Sequence, residues 1–331
     1  MTPPAGALVT LADVRAAAER IRPASRLTPV VDVSLHAGRP FFLKCENLQP
    51  AGAFKIRGAF NMAARLTPEQ RARGVVTYSS GNHGQALALA ARTLGMPCVV
   101  VMPTTATAAK VKGVRTYGAE IIFEGTTSLE RRARAEAEAA ARGLTIVPAF
   151  DHADIIAGHG TIGLEVLAQR SNAAAVVAPI GGGGLIAGIA AAVKRLEPHV
   201  KVIGVEPAGS AAMKASLQAG EPVTLPSTAS IADGLLPVRP GDLTFAHVQA
   251  LVDEVVTVED AAIADAMRWI FEKAKLVAEP SGAASTAAVL GGAIDRVRRI
   301  DGPIVAVLSG GNIDVPSFGV LLESRAGGSA R

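Results

Sequence analysis

The residue in this sequence best placed for covalent chemistry is Lys55, in the stretch Gln49-Pro50-Ala51-Gly52-Ala53-Phe54-Lys55-Ile56-Arg57-Gly58. Pro50 and Gly52 punctuate the approach, and a helix-permissive run, Ala59 to Leu66, follows. Lys55 therefore falls at a loop-to-helix junction between apolar Phe54 and Ile56. An ammonium held in apolar surroundings loses hydration and its pKa falls, so the neutral amine becomes a nucleophile towards carbonyl carbon. A solvated lysine near a helix start is the alternative.

A second stretch, Gly181-Gly182-Gly183-Gly184-Leu185, follows an apolar strand and opens a helix. Without side chains, its backbone N–H groups can close around a phosphate, and the helix start adds about half a positive charge. A dinucleotide site is the competing account, because Glu206 ends the next strand where a ribose-binding acid belongs. The glycine spacing argues against it. Counting G-x-G-x-x-G from Gly181 puts Ile186 at the last glycine, and counting from Gly182 puts Ala187 there.

A third stretch, Ser79-Ser80-Gly81-Asn82-His83-Gly84-Gln85, gathers hydroxyls and backbone donors between a strand and a helix. That suits a substrate carboxylate. Ser79 or Ser80 could equally act as an N-cap, and His83 reads as a structural histidine with no acid–base role. Ser309 ends an apolar strand in Leu308-Ser309-Gly310-Gly311-Asn312. Glu279 precedes Pro280 at a helix start, and Asp233 in Ala232-Asp233-Gly234 fits a turn.

In this order the three stretches resemble the threonine dehydratase and serine racemase family of pyridoxal-phosphate enzymes, over nearly the whole chain. The resemblance implies an α/β, two-domain fold type II architecture of the tryptophan synthase beta kind, with mostly parallel sheets flanked by helices. Residues 1–66 and 151–331 would form the large cofactor-binding domain, with 67–150 inserted as the small one. The cofactor, pyridoxal 5'-phosphate, would contact Phe54, Lys55, Asn82, Gly181, Gly182, Gly183, Gly184, Leu185, Glu279 and Ser309. Ser79, Ser80, Gly81, Asn82 and His83 would hold the substrate. Lys55 and Ser80 are the implied catalytic residues, on opposite faces of the reacting carbon. Ser309, at the ring nitrogen, cannot keep it protonated as an aspartate would, which fits elimination better than transamination. Metal-activated members bind a divalent cation near Glu206 with a second acid where this chain has Ala212, so no metal is expected.

The remaining sequence supplies the frame for these residues. From Gly74 onward apolar runs alternate with helical runs: strands at Val75–Tyr78, Cys98–Met102, Glu120–Phe123, Leu144–Val147, Ala175–Pro179, Val202–Val205, Glu254–Val258 and Ile304–Leu308. Helices are expected over Leu11–Arg22, Asn82–Leu94, Ala106–Tyr117, Ser128–Arg142, Ile155–Ala168, the run from the glycines to Leu196, Ala261–Lys273 and Ser281–Leu290. Such alternation predicts parallel sheet. Pro222 to Gly241 reads as a long surface loop.

The 331 residues are 49% hydrophobic, enough for two domains or one large one. The net charge of +4 is mixed along the chain, without a basic tract, which argues against nucleic-acid or membrane partners. Cys45 and Cys98 form no C-x-x-C pair and suit a reducing compartment. Met1 to Thr10 lacks a basic, then apolar, leader pattern, so a cytoplasmic protein is expected. Ala173 to Val193 carries no charge, but Pro179 and the glycines break it into strand, loop and helix. The expectation is a cytoplasmic homodimer or larger homo-oligomer that dehydrates L-threonine or L-serine to a 2-oxo acid and ammonia. Serine racemase and 3-hydroxyaspartate dehydratase of the same fold stay open, with a nucleotide-binding oxidoreductase more distant.

Overall fold

The computed structural model describes residues 7–79, 81–296 and 300–323. The chain begins with α1 (Leu11–Ile21), β1 (Val30–Asp32), α2 (Ser34–Ala37), β2 (Phe41–Lys44), α3 (Lys55–Ala63) and α4 (Pro68–Arg73). Next come β3 (Val75–Thr77), α5 (Asn82–Leu94), β4 (Cys98–Met102), α6 (Ala108–Thr116), β5 (Glu120–Phe123), α7 (Ser128–Arg142) and β6 (Thr145–Ile146). Then follow α8 (Ala153–Gln169), β7 (Ala175–Pro179), α9 (Gly184–Leu196), β8 (Lys201–Pro207), α10 (Ala212–Ala219) and α11 (Asp242–Leu251). The last elements are β9 (Glu254–Val258), α12 (Asp260–Trp269), α13 (Pro280–Leu290), β10 (Ile304–Val307) and α14 (Val315–Glu323).

Two sheets result. The larger has the order β1-β2-β10-β7-β8-β9, and the smaller β5-β4-β3-β6. Every pairing is parallel except β1 with β2. Both faces of the larger sheet are apolar, because helices cover both. Val177, Ile203 and Val205 pack with Ile263 and Met267 of α12 and Ala283, Ala284 and Ala287 of α13. Val176, Ala178 and Val202 point the other way, onto Ile186 and Ile189 of α9, Ile162 and Val166 of α8, and Phe245 of α11. Helices α8 and α9 approach closely at Gly160 and Gly188. A Cβ on Gly160 would lie 2.8 Å from the Gly188 carbonyl oxygen, and one on Gly188 would lie 2.5 Å from the Gly160 nitrogen. The uncharged run Ala173 to Val193 is thus buried strand and buried helix. No helix among the described residues is long and apolar enough to cross a membrane.

The expected elements appear, several with identical bounds, and the differences have physical causes. Helix α10, closed by left-handed Gly220, and α11, which starts beside the Pro- and Gly-rich loop, were not anticipated. Nor were β1, α4 and the C-terminal α14. The helix expected to run to Lys273 stops at Trp269 and widens into a π turn, Ile270–Ala274, before Lys275 takes φ 58°.

Candidate functional site

Lys55 is the first residue of α3, and the helix start is fixed by the arginine two residues on. Arg57 is fully buried. Its Nε and Nη2 donate to Glu46 at 2.7 and 2.8 Å, and its Nη1 and Nη2 donate to Glu165 at 2.6 and 2.8 Å. Lys44 completes the cluster, donating to Glu165 at 2.5 Å and to the Thr28 carbonyl at 2.7 Å. Burial alone would lower the Arg57 pKa, but Glu46 and Glu165 outweigh it and hold the guanidinium above its ordinary value.

No carboxylate pairs with Lys55 among the described residues. Its Nζ donates to the Ala149 carbonyl at 2.7 Å and stands 5.0 Å from the Phe54 ring centroid. Burial lowers its pKa to about 8. Two imidazoles near it are neutral. His83 sets Nε2 3.0 Å from the Val147 carbonyl, which can only accept, so Nε2 carries the proton and Nδ1 is left unpartnered. Burial, then Lys55, brings its pKa down to about 3. His159 packs edge-on to Phe54 with ring centroids 4.7 Å apart, and burial drives its pKa far below the usual value. The lysine's surroundings therefore favour its uncharged form.

The glycine run connects β7 to α9. Gly183 is the N-cap of α9, at φ 95°, and no side chain caps the helix start, leaving N–H donors free. A Cβ on Gly183 would come within 2.7 Å of Met213 and 2.9 Å of Thr244, and one on Gly184 within 3.0 Å of Phe150. The loop is thus walled on two sides and braced by Thr244, whose Oγ1 donates to the Gly182 carbonyl at 2.6 Å. Asp151 fixes that threonine by accepting from the N–H groups of Asp242, Leu243 and Thr244 at the start of α11. These features fit a phosphate.

The stretch from Ser79 meets the same region from the smaller sheet. The N-cap of α5 is Gly81, with no side-chain cap, so Ser79 does not serve as the expected cap. Ser80 lies outside the described residues. Among the described residues no side chain caps this helix start, whose N–H groups can then meet an anion. Asn82 Nδ2 donates to Glu279 at 2.5 Å, and Asn82 Oδ1 accepts from Asn312 Nδ2 at 2.8 Å. Asn312 also donates to the Ala51 carbonyl at 2.8 Å, which joins the Lys55 loop to α5. Glu279 is the N-cap of α13 but makes no capping bond. Burial, then Asp233, raises its pKa to about 8, so at neutral pH it is mainly protonated. Buried Ser309 closes β10, its hydroxyl 3.4 Å from the Ser281 carbonyl. Leu185 is buried in the first turn of α9. Asn312, Thr244 and the Ala149 carbonyl carried no sequence signal of their own, because each acts through a partner remote in the chain.

Glu206 ends up bonded to the start of α10. Its two oxygens accept from the N–H groups of Met213 and Lys214 at 2.8 and 2.9 Å, at the start of α10. Both oxygens are thus occupied, so the acid required by the dinucleotide alternative is committed elsewhere. Burial raises its pKa to about 7, and no group of three or more His, Cys, Asp or Glu side chains among the described residues could hold a metal ion. A chelator in magnesium-free buffer is therefore expected to leave turnover and melting temperature nearly unchanged. A large loss, restored by magnesium or calcium, would contradict this.

The desolvated lysine, the uncapped, glycine-lined start of α9 and the parallel α/β sheets are the features that the resemblance to fold type II pyridoxal-phosphate enzymes led us to expect. Residues 21–310 match the family described as "Pyridoxal-phosphate dependent enzyme", and the chain belongs to it. It is 44% identical over 313 residues to an L-threonine ammonia-lyase of Geobacter sulfurreducens, covering 94% of this chain and 77% of the relative. It is 43% identical over 310 residues to a serine racemase of Arabidopsis thaliana, covering 92% and 93%. The solved structure of maize serine racemase superposes with a TM-score of 0.90 at 39% identity, covering 95% of this chain and 97% of that one.

Proposed function

We propose that the protein is a pyridoxal-phosphate-dependent ammonia-lyase that dehydrates a small 3-hydroxy amino acid, L-threonine or L-serine first among them. The observation that carries this is the Lys55 amine, at a pKa of about 8 and with no carboxylate partner among the described residues, in a chain 44% identical to an L-threonine ammonia-lyase. The cofactor supplies an electron sink for the Cα–H bond. Gly181 to Gly184 and Leu185 hold its phosphate, Ser309 its ring nitrogen and Asn82 its ring oxygen, with Phe54 beside it. The backbone N–H groups at the start of α5, that of His83 among them, orient the substrate carboxylate with Ser79. Neutral Lys55 Nζ takes the Cα proton, and the 3-hydroxyl takes up one proton in exchange and leaves as water, so the two proton transfers cancel. Hydrolysis consumes one water and yields the 2-oxo acid and ammonia. Glu279, kept protonated, buttresses Asn82.

The proposal extends to a division into residues 1–66 with 151–331 against 67–150, which the two separate sheets support, and to a cytoplasmic homo-oligomer. A second reading, serine racemase, is favoured by the relatives of that name and by Ser80. A single base returns a proton only to its own face, so racemisation needs a donor opposite Lys55, and Ser80 is that candidate. One experiment tests both readings: L-threonine and L-serine are supplied to the holoenzyme, and 2-oxo acid, ammonia and D-serine are measured. Release of 2-oxo acid and ammonia is expected from both, with slow D-serine formation. Ser80→Ala should abolish D-serine formation while sparing much of the dehydration. No 2-oxo acid from either substrate would overturn the ammonia-lyase, and equal losses of both activities would confine Ser80 to binding or folding.

A further inference from the structure

One ion pair joins the helices of the smaller sheet to the loops of the larger beside the substrate region. Lys110 Nζ, on α6, lies 2.5 Å from Asp233 Oδ2, on the turn Asp233–Leu235. The side chains are 36% and 55% exposed, so the pair is a weak clasp and contributes little to stability. Its location gives it another use. The turn stands against the glycine loop, since a Cβ on Gly181 would be 3.0 Å from the Gly234 carbonyl oxygen. The Gly234 N–H is fixed by Ser281 Oγ at 2.9 Å, immediately after Glu279 and Pro280. Both Asp233 and Lys110 act electrostatically on Glu279, the hydrogen-bond partner of Asn82. The pair therefore stands beside Glu279 and the glycine loop, and in the site proposed above it would border the space for a substrate side chain beyond Cβ.

We propose that Asp233 and Lys110 together select the charge of the substrate side chain, a role that rests on the amino-acid substrate argued above. Asp233 and Lys110 neutralise each other as a pair, in which the second carboxylate oxygen, bearing part of the one delocalised charge, can only accept hydrogen bonds. A neutral side chain such as that of threonine or serine passes this border without penalty. A second carboxylate, as in 3-hydroxyaspartate, meets like charge, and the one cation of the clasp is already engaged. Removing the Asp233 charge inverts the preference, because the freed Lys110 ammonium becomes a partner for that carboxylate.

L-Aspartate and L-asparagine test this, being nearly equal in size and lacking the 3-hydroxyl leaving group. Their affinities for the holoenzyme are measured by calorimetry in wild type, Asp233→Asn, and the double variant Asp233→Asn with Lys110→Met. Wild type should prefer asparagine. Asp233→Asn should shift the aspartate-to-asparagine ratio towards aspartate by about fivefold, the upper range for a partly exposed charge pair. The double variant should lose that shift, which separates charge selection from a merely structural effect of the first substitution. An unchanged ratio in Asp233→Asn, or a shift that survives loss of Lys110, would overturn the proposal. Either result leaves the lyase reading intact, since that reading stands on the 2-oxo acid released from threonine or serine.

Discussion

Lys55→Ala is expected to fold, to lose the visible absorbance of the bound cofactor, and to turn over threonine or serine roughly a thousandfold more slowly or worse. The structure separates Lys55 from the other candidate lysines by their partners. Lys44 is held by Glu165, and Lys110 by Asp233. Lys194 and Lys201 are both held by Asp253. Among the described residues Lys55 meets the Ala149 carbonyl and the Phe54 ring but no carboxylate, and burial lowers its pKa to about 8. Borohydride reduction of the holoenzyme should accordingly fix the cofactor to Lys55. An adduct mapped to Lys44 or Lys110, or none at all, would defeat the assignment.

Arg57→Ala should produce the largest loss of stability among single substitutions near the site. It leaves the fully buried Glu46 without its guanidinium partner and removes from Glu165 one of its two cations. Removing one partner of a buried pair typically costs about 3–5 kcal/mol. Urea unfolding followed by circular dichroism reads this directly, and a loss below about 1 kcal/mol would contradict it. The same cluster sets an acid limit. Burial pushes the Glu46 carboxyl up, but Arg57 more than compensates and leaves it below its ordinary 4.5. A depressed carboxyl pKa contributes stability above 4.5 that fades as the pH falls through the folded-state value. Unfolding in acid should therefore become easier below about pH 4.5 in wild type, and less steeply so in Glu46→Gln.

Where sequence carried local signals it was informative. Asn82–Leu94 and Ser128–Arg142 end at Gly95 and Gly143, both left-handed, and their bounds follow from those caps. Strands Cys98–Met102 and Ala175–Pro179 are buried along their whole length and read as unbroken apolar runs. The edge strand Val30–Asp32 has three residues, one of them exposed, too few to give a pattern. At the site, the quoted stretches contained Lys55, Asn82, the glycines, Glu279 and Ser309. What sequence could not supply was the pairing: Asn82 with Glu279 and Asn312, or the Ala149 carbonyl with Lys55. Those contacts span up to 230 positions and depend on how the sheets meet. Of the two readings open for Ser79, a cap or a substrate contact, the first falls, since glycine occupies the cap position.

The order of strands in the larger sheet has a consequence for synthesis. Strand β10 comes after every other strand of that sheet in the chain, yet it lies between β2 and β7 and pairs with both. While the chain is being translated, Phe41–Lys44 and Ala175–Pro179 each present an unpaired edge until Ile304–Val307 emerges. Ser309 and Asn312 leave the ribosome later still. A nascent chain cannot assemble the cofactor site piecemeal, and its exposed strand edges are open to wrong partners in the meantime. Truncation anywhere before β10 should therefore yield aggregates rather than a weaker enzyme. Capture of the cofactor would then mark the emergence of β10 and of the residues up to Asn312.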